Sequence, residues 1–357
     1  MKLLLALTDQ SFAATKSVGI FNVSMGLAHG LMQNPDVKEL HILGNAECAA
    51  HFNQLPPHVH LHLAEKPVPR RFGRVWWDQF GVCAAIRRIQ PDWAILPKGF
   101  PPFYPMLGKT KLACYLHDVN WEYYEQRSRE GDSPFPRHEL IYFRALGLRS
   151  LQVSDLVLTS TQFNKSRYEH YCPGCRTAVV GIGFDDELRP YTPATGRDIL
   201  FYASPFPHKL TSMGVARVES WLNQRADAAG IRIHLIGRLP QGLTLPGPHW
   251  VQHGRLPFDE LQRIQQQECR CAIYFSDYEG FGMPPVECLR CGIPCIASAL
   301  PPICENIPHR FTFDNADETD FIRVLNNAYD KPDMTDLPTY PTWQEVARRC
   351  VAAMQQH

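Results

Sequence analysis

Cys271-Ala-Ile-Tyr-Phe-Ser-Asp-Tyr-Glu-Gly-Phe-Gly-Met-Pro-Pro-Val-Glu-Cys-Leu-Arg-Cys-Gly-Ile-Pro-Cys-Ile-Ala-Ser298 is the stretch from which the rest of the chain is read. Its first residues, 271–276, form a short apolar run with the length of a buried strand. A loop holding Gly280 and Gly282 follows. Pro284 and Pro285 then start a helix, where a missing N–H costs nothing. Gly292 ends that helix, and Pro294 opens a second strand over 294–297. The loop therefore lies on a helix N-terminus at the carboxyl edge of a sheet. Free N–H groups and the helix dipole favour an anion there, such as a diphosphate. Gly280 and Gly282 allow close backbone approach. Glu279 stands at the loop entrance and Glu287, eight residues on, is expected in the first helical turn. A carboxylate so placed can accept two sugar-type hydroxyls, or can simply complement the dipole.

Working outward, short apolar runs at 2–7, 39–43, 93–97, 111–116 and 155–159 read as buried strands of a first half. Runs at 199–203, 231–236, 271–276 and 294–297 read likewise in a second. Between them, 18–32, 80–89 and 258–267 carry helical periodicity. Strands separated by helices imply parallel sheets with right-handed crossovers. Two such blocks imply an α/β chain of two Rossmann-like domains. The polar, Pro- and Gly-containing stretch 185–197 suits a linker. The expected organisation is residues 1–188, then 189–335, then a C-terminal helix in 336–357, resuming near Thr342 and packing back on the first domain. In such an arrangement, ligands bind beyond the carboxyl ends of the strands, in a cleft between the domains.

Composition bounds the function. The chain has 357 residues, more than one typical domain. Lys plus Arg and Asp plus Glu both number 36, so no bulk nucleic-acid binder is indicated. The apolar start after Met1 is cut by Asp9, too short for a signal-peptide core, and no stretch has the apolar length of a membrane span. A cytoplasmic protein is expected, with room for peripheral contact at the inner face of a membrane. Twelve cysteines fit a reducing compartment. Two Cys-x-x-Cys pairs, Cys172/Cys175 and Cys288/Cys291, would need to converge to hold zinc; burial explains the second pair better. The segment Arg70-Arg-Phe-Gly-Arg-Val-Trp-Trp-Asp-Gln79 mixes cations with aromatics and reads either as a membrane-surface contact or as packing of the first domain.

The segment 279–287 resembles the Glu-x7-Glu signature of retaining glycosyltransferase family 4, which has the GT-B fold. His253-Gly-Arg-Leu-Pro-Phe-Asp-Glu-Leu before it and Ala299-Leu-Pro-Pro-Ile-Cys-Glu305 after it extend the resemblance, which is strongest over 199–306. It implies two Rossmann-like domains with parallel sheets facing an interdomain cleft, the first on the acceptor side and the second on the nucleotide-sugar donor side. Glu287 would bind the ribose hydroxyls and Glu279 the transferred sugar. Phe281, Gly282 and Met283 would offer backbone N–H groups to sugar or phosphate.

Four further places fit the same resemblance. Phe201-Tyr-Ala-Ser-Pro-Phe-Pro-His-Lys209 resembles the family's phosphate-gripping loop, so Lys209 would neutralise the donor diphosphate. Ser204 stands where many members have arginine, and His208 or a Ser204 hydrogen bond would have to stand in. His117-Asp118, at the end of a strand, resembles the family's His-Asp pair, whose histidine touches the transferred sugar by its carbonyl or ring; the alternative is a satisfied structural histidine. Ser17-Val-Gly-Ile-Phe-Asn-Val resembles the glycine-containing loop near the phosphates, with Gly19 as the close-approach residue, or is an ordinary strand-to-helix turn. Glu305 would help hold the nucleotide.

The resemblance implies transfer of a sugar from a nucleoside diphosphate sugar to a hydroxyl of a glycan or lipid-linked acceptor, with retained configuration, as in bacterial surface polysaccharide or glycolipid synthesis. The leaving phosphate would accept the acceptor's proton on the same face, while the protein supplies orientation and charge stabilisation and the two domains close over the donor. Neither a metal nor a cofactor is expected, and Asp185-Asp186 reads as part of the linker. The rival readings are a sugar-nucleotide epimerase or phosphorylase on the same fold, and a non-catalytic partner subunit that binds sugar nucleotide.

Overall fold

The structure, a computed structural model, describes residues 1–8, 18–52, 54–63, 77–131, 133–184, 196–254 and 256–357. The chain divides into two compact units. The first comprises Met1–Glu125, Pro136–Asp185 and Tyr340–His357; the second comprises Gln126–Phe135 and Asp186–Thr339.

The first unit is built on seven parallel strands: β1 (Lys2–Ala6), β2 (Glu39–Gly44), β3 (Val59–Leu63), β4 (Trp93–Leu96), β5 (Lys111–Tyr115), β6 (Leu156–Thr159) and β7 (Thr177–Val179), in the order β3-β2-β1-β4-β5-β6-β7. Leu3, Leu4 and Leu5 on β1 are all fully buried, so both faces of this inner strand are covered. A parallel sheet requires that cover, because its crossover helices pack on both faces.

One crossover helix, Val18–Met32, carries two glycines at i and i+4, Gly26 and Gly30. A Cβ at Gly26 would lie 2.0 Å from the Trp343 ring, and one at Gly30 would lie 2.2 Å from the Trp343 carbonyl oxygen. The glycines thus cut the groove into which the C-terminal helix Trp343–Gln355 docks, with its N-cap Thr342 accepting from the Glu345 N–H. Trp343, Val346, Ala347, Cys350, Val351 and Met354 form its buried face.

The second unit has six parallel strands: β8 (Asp198–Ala203), β9 (Ile233–Gly237), β10 (Trp250–Gly254), β11 (Cys269–Tyr274), β12 (Cys295–Ser298) and β13 (Thr312–Phe313), in the order β10-β9-β8-β11-β12-β13. Phe201, Phe275, Phe313 and Phe321 are fully buried, and Phe275 meets each of the other three at centroid distances between 4.8 and 6.3 Å. The segment Gln126–Phe135 joins this unit through stacking of Phe135 on Phe206 and an ion pair from Arg127 to Asp277 at 3.4 Å.

Several expectations are adjusted. The helix read over 80–89 begins at Val82, after a π-helical turn Trp77–Gly81, and Gln79 there accepts the Phe103 N–H at 2.8 Å. Of the segment 70–79, residues 70–76 lie outside the described residues, as do 185–195 of the expected linker, including Asp185 and Asp186, and also Asp9, Ser17 and Arg255. Among the described residues no helix is long and apolar enough to cross a membrane.

Candidate functional site

In the second sheet the strand order reverses between β8 and β11: β9 and β10 lie on one side, β12 and β13 on the other. Loops leaving the carboxyl ends of two such strands diverge and leave room for a ligand. The loop after β8 carries Ser204, His208 and Lys209; the loop after β11 carries Glu279 through Gly282 and leads to the helix Met283–Arg290.

That helix starts at Met283, with Pro284 and Pro285 in its first turn and Gly282 as N-cap at φ 88°. A Cβ on Gly282 would also lie 2.8 Å from Ile303 Cγ1, so both the backbone angle and the space call for glycine. At its far end the helix closes with Gly292 N–H to Leu289 O and Ile293 N–H to Cys288 O, the paired bonds of a Schellman turn. Because two of the first three residues are prolines, the early N–H groups are few: Met283 keeps one, and the Gly282 N–H precedes it. Phe281 is buried, as is Gly282, while Met283 is half-buried.

This start corrects the expected position of Glu287. It is the fifth residue of the helix, in the second turn, so the N-terminal dipole acts on it less strongly than on a first-turn residue. Its side chain is half-buried, and among the described residues it makes no hydrogen bond or ion pair. Burial pushes its carboxyl up to about 7, against a small opposing pull from Arg290.

Lys209 and Glu279 meet directly. The Lys209 ammonium donates to Glu279 Oε1 and, at 2.6 Å, to the Tyr274 hydroxyl; that hydroxyl donates to Glu279 Oε1 at 2.5 Å. Burial alone would raise the Glu279 carboxyl, but Lys209, with His208 and the Tyr274 hydrogen bond, outweighs it and holds the carboxyl below its usual range. Burial, then the Glu279 charge and hydrogen bond, and more weakly Cys295 and Glu287, keep the Tyr274 phenol well above its usual value.

His208 does not supply the missing cation. Burial and the adjacent Lys209 push its imidazole down to about 3, so it is neutral near pH 7. Its ring stacks on Phe206 at 5.9 Å, and its carbonyl accepts the Asp277 N–H at 2.6 Å. Ser204 is tied into its own loop: its N–H donates to Thr211 Oγ1, which donates back to the Ser204 carbonyl, while its hydroxyl accepts the Phe206 N–H. Glu305 is exposed at the end of the short helix Pro301–Cys304.

In the first unit, His117 follows β5. Its Nε2–H donates to Pro97 O at 2.7 Å and its carbonyl accepts from Asn164 Nδ2 at 2.8 Å. Burial, only partly offset by the Pro97 hydrogen bond, pushes the ring down to about 4, so the neutral ring keeps Nδ1 as an acceptor. Gly19 lies half-buried in the first turn of Val18–Met32.

All twelve cysteines are free thiols. Cys288 is buried against the Tyr202 hydroxyl at 3.3 Å, and Cys175 contacts Thr177 Oγ1 at 3.5 Å. Among the described residues one cluster has metal-ligand spacing: Asp198, His234 and Glu268. Arginines already neutralise it, with Arg232 3.0 Å from Asp198 and Arg263 2.7 Å from Glu268. His234 bridges Asp198 at 2.9 Å and His253 at 2.8 Å. This network ties together the starts of β8 and β9 with Glu268 just before β11, at the opposite edge of the sheet from the loops bearing Lys209 and Glu279.

Sequence reasoning missed Tyr274. It lies within the run 271–276 read as a buried strand, and a phenol in that run, five residues before Glu279, was the available signal.

Residues 246–341 match the family model described as Glycosyl transferases group 1, a span that includes Tyr274, Glu279 and Glu287. No curated protein matches the sequence. Three solved structures are similar over nearly the whole chain. The lipopolysaccharide outer core galactosyltransferase WaaB, in its apo form, has 14% identity and a TM-score of 0.64, covering 100% of this chain and 99% of that one. Anabaena HepE in complex with UDP has 15% identity and a TM-score of 0.61, covering 99% and 95%. The N-terminal domain of Candida albicans trehalose-6-phosphate phosphatase has 11% identity and a TM-score of 0.67, covering 99% and 96%. At these identities the likeness is one of architecture: the chain is an α/β protein with two parallel sheets and the GT-B fold.

Proposed function

We propose that this chain is a metal-independent, retaining glycosyltransferase, moving a sugar from a nucleoside diphosphate sugar to a hydroxyl of a glycan or lipid-linked acceptor. The observation that carries the reading is Glu287: a half-buried carboxylate with no side-chain partner among the described residues, near a Lys209–Glu279 pair where the strand order reverses. A half-buried carboxylate whose oxygens make no protein hydrogen bond can accept donors from a ligand, and a ribose diol supplies two. The match of 246–341 to a glycosyl transferase model, and the UDP complex of a protein with the same fold, support the same assignment.

In this reading Lys209 turns toward the diphosphate and offsets the charge that develops as it leaves. Glu279 receives a hydroxyl of the transferred sugar. The N–H groups of Phe281, Gly282 and Met283 face sugar or phosphate, Ser204 lines the loop, and Glu305 is a minor nucleotide contact. With His208 neutral, Lys209 is the cation of this loop. Acceptor recognition is assigned to the first unit; His117 is assigned to the transferred sugar and Gly19 to close approach at the phosphates. Synthesis of a bacterial surface polysaccharide or glycolipid, in the cytoplasm or at the inner membrane face, suits such an activity.

The test supplies candidate nucleoside diphosphate sugars with an acceptor extract and follows transfer. Transfer with retained configuration, abolished by Glu287→Ala and Lys209→Ala, is expected. Donor binding without turnover in any acceptor mixture would instead indicate a non-catalytic binding subunit. Acceptor-free conversion or phosphate consumption would indicate the epimerase or phosphorylase.

A further inference from the structure

We infer that Tyr274 is a positioning residue: its hydroxyl, shared between Lys209 and Glu279, fixes which oxygen of the Glu279 carboxylate is left for an incoming sugar. The inference rests on the donor-site reading above and adds a residue to it.

The geometry is directional. A phenol has one O–H, which donates to Glu279 Oε1, while its oxygen accepts a hydrogen bond from the Lys209 ammonium. The ammonium reaches the same Oε1. Both protein donors therefore converge on one carboxylate oxygen, and among the described residues no contact to Oε2 is recorded. Oε2 is the atom available to a sugar hydroxyl.

Tyr274 can hold this arrangement because it is itself held. It closes β11, is nearly fully buried, and its ring packs edge-on to Tyr202 at 6.1 Å, with the Lys209 ammonium 5.0 Å from its centroid. Lys209, by contrast, reaches the pair from the end of a short 3-10 turn, Pro207–Lys209, on a four-carbon stem that can swing its ammonium. If a diphosphate draws the ammonium toward itself, Glu279 loses its ion pair at the moment it must meet the sugar. The Tyr274 hydroxyl stays, so the carboxylate keeps one buried donor and does not rotate. The titratable groups around Glu279 are Lys209 and His208 from the loop after β8 and Tyr274 from β11 itself; Glu287 from the following helix and Cys295 from β12 act on Tyr274.

Tyr274→Phe removes the hydroxyl and keeps the ring. The expected result is a nucleoside diphosphate Kd within about twofold of wild type, since Lys209 and Glu287 remain. The kcat for transfer should fall about tenfold, the scale of one hydrogen bond to a charged group. The acid limb of the kcat profile should move to higher pH, because Glu279 has lost a donor to its charged form. In a Glu279→Gln background, Tyr274→Phe should cost nothing more. Equal losses in both backgrounds, or an unmoved acid limb with wild-type kcat, would overturn the inference.

A second measurement is independent of turnover. Carboxyl 13C NMR titration of the free protein should show the Glu279 resonance titrating at higher pH in Tyr274→Phe. An unchanged titration would overturn the positioning role even if transfer is observed. Absence of transfer by the wild type with every donor would instead count against the proposed function, while the titration still decides the role of Tyr274.

Discussion

Replacing Lys209 with methionine keeps the length of the side chain and deletes its charge. It leaves the Glu279 carboxylate, only 12% exposed, with the Tyr274 hydroxyl as its principal donor. Breaking a buried ion pair by removing one partner costs about 3–5 kcal/mol. Lys209 is itself 21% exposed and Tyr274 remains, so the cost here is about 2–3 kcal/mol. For a unit of about 150–250 residues each kcal/mol lowers Tm by about 2–4 °C, which gives a drop of roughly 4–12 °C in the second unit's transition. The pH dependence follows from Glu279. In the wild type its folded pKa is lowered, so its contribution to stability is present above the unfolded value and is lost as pH falls through the folded value. In the variant, burial is largely unopposed and the carboxyl rises above its ordinary value, so acid relieves the variant by protonating it. The gap between the proteins should therefore be wide at pH 8 and narrow toward pH 5. The assay is thermal unfolding by calorimetry across that range. A companion Lys209→Met/Glu279→Gln protein should recover part of the loss at pH 8. A gap below about 2 °C, or one as large at pH 5 as at pH 8, would mean that Lys209 does not stabilise a buried Glu279 charge.

Other outcomes follow from the same structure. Glu287 lies at about 7 in the free protein, and the charged form is the better diol acceptor, so nucleotide binding should strengthen as pH rises from 6 to 8 and should release protons, seen as buffer-dependent heat in calorimetry. His208 is already neutral, so His208→Asn should leave the pH dependence of donor binding unchanged between pH 5 and 8, as calorimetric titrations at each pH would read. Gly26→Leu drives a side chain into the Trp343 ring and should destabilise the first unit by about 1–3 kcal/mol, measured by denaturant unfolding.

What the amino-acid sequence reveals of this fold depends on where a strand sits in its sheet. Inner strands such as β1 and β11 carry unbroken apolar runs, because helices cover both faces, and all nine expected strands lie at inner positions of the two sheets. The four that escaped notice, β3, β7, β10 and β13, are the edges. β3 reads Val-His-Leu-His-Leu with only Val59 buried, β7 is three half-buried residues, and β13 has two residues. Edge strands pair on one side only, so neither their length nor their polarity marks them. The helix Val18–Met32 was legible to its ends because its periodicity is local; the attachment of Gln126–Phe135 to the second unit was not, because it rests on Phe206 and Asp277, far along the chain.

The same division holds at the site. Gly282, the prolines and the strand before them have local signatures, so the loop and its helix could be read directly. Glu287 was placed in the first turn and lies in the second, because the helix begins at Met283, one residue before the prolines expected to start it. His208 looked like a substitute cation because charge can be read from a residue's identity but burial cannot. The resting pair of Lys209 with Glu279, and the Tyr274 hydroxyl between them, join side chains up to 70 positions apart, and only the packing of β8 beside β11 brings them together.

The most direct measurement is calorimetric titration of nucleoside diphosphates, uridine, guanosine and deoxythymidine in turn, into the wild type and Glu287→Ala at pH 8. One of them should bind the wild type, and Glu287→Ala should weaken it about tenfold or more, the loss of charge-assisted hydrogen bonds to a diol. Equal affinity in the two proteins, or no binding of any nucleoside diphosphate to the wild type, would contradict the donor-site assignment.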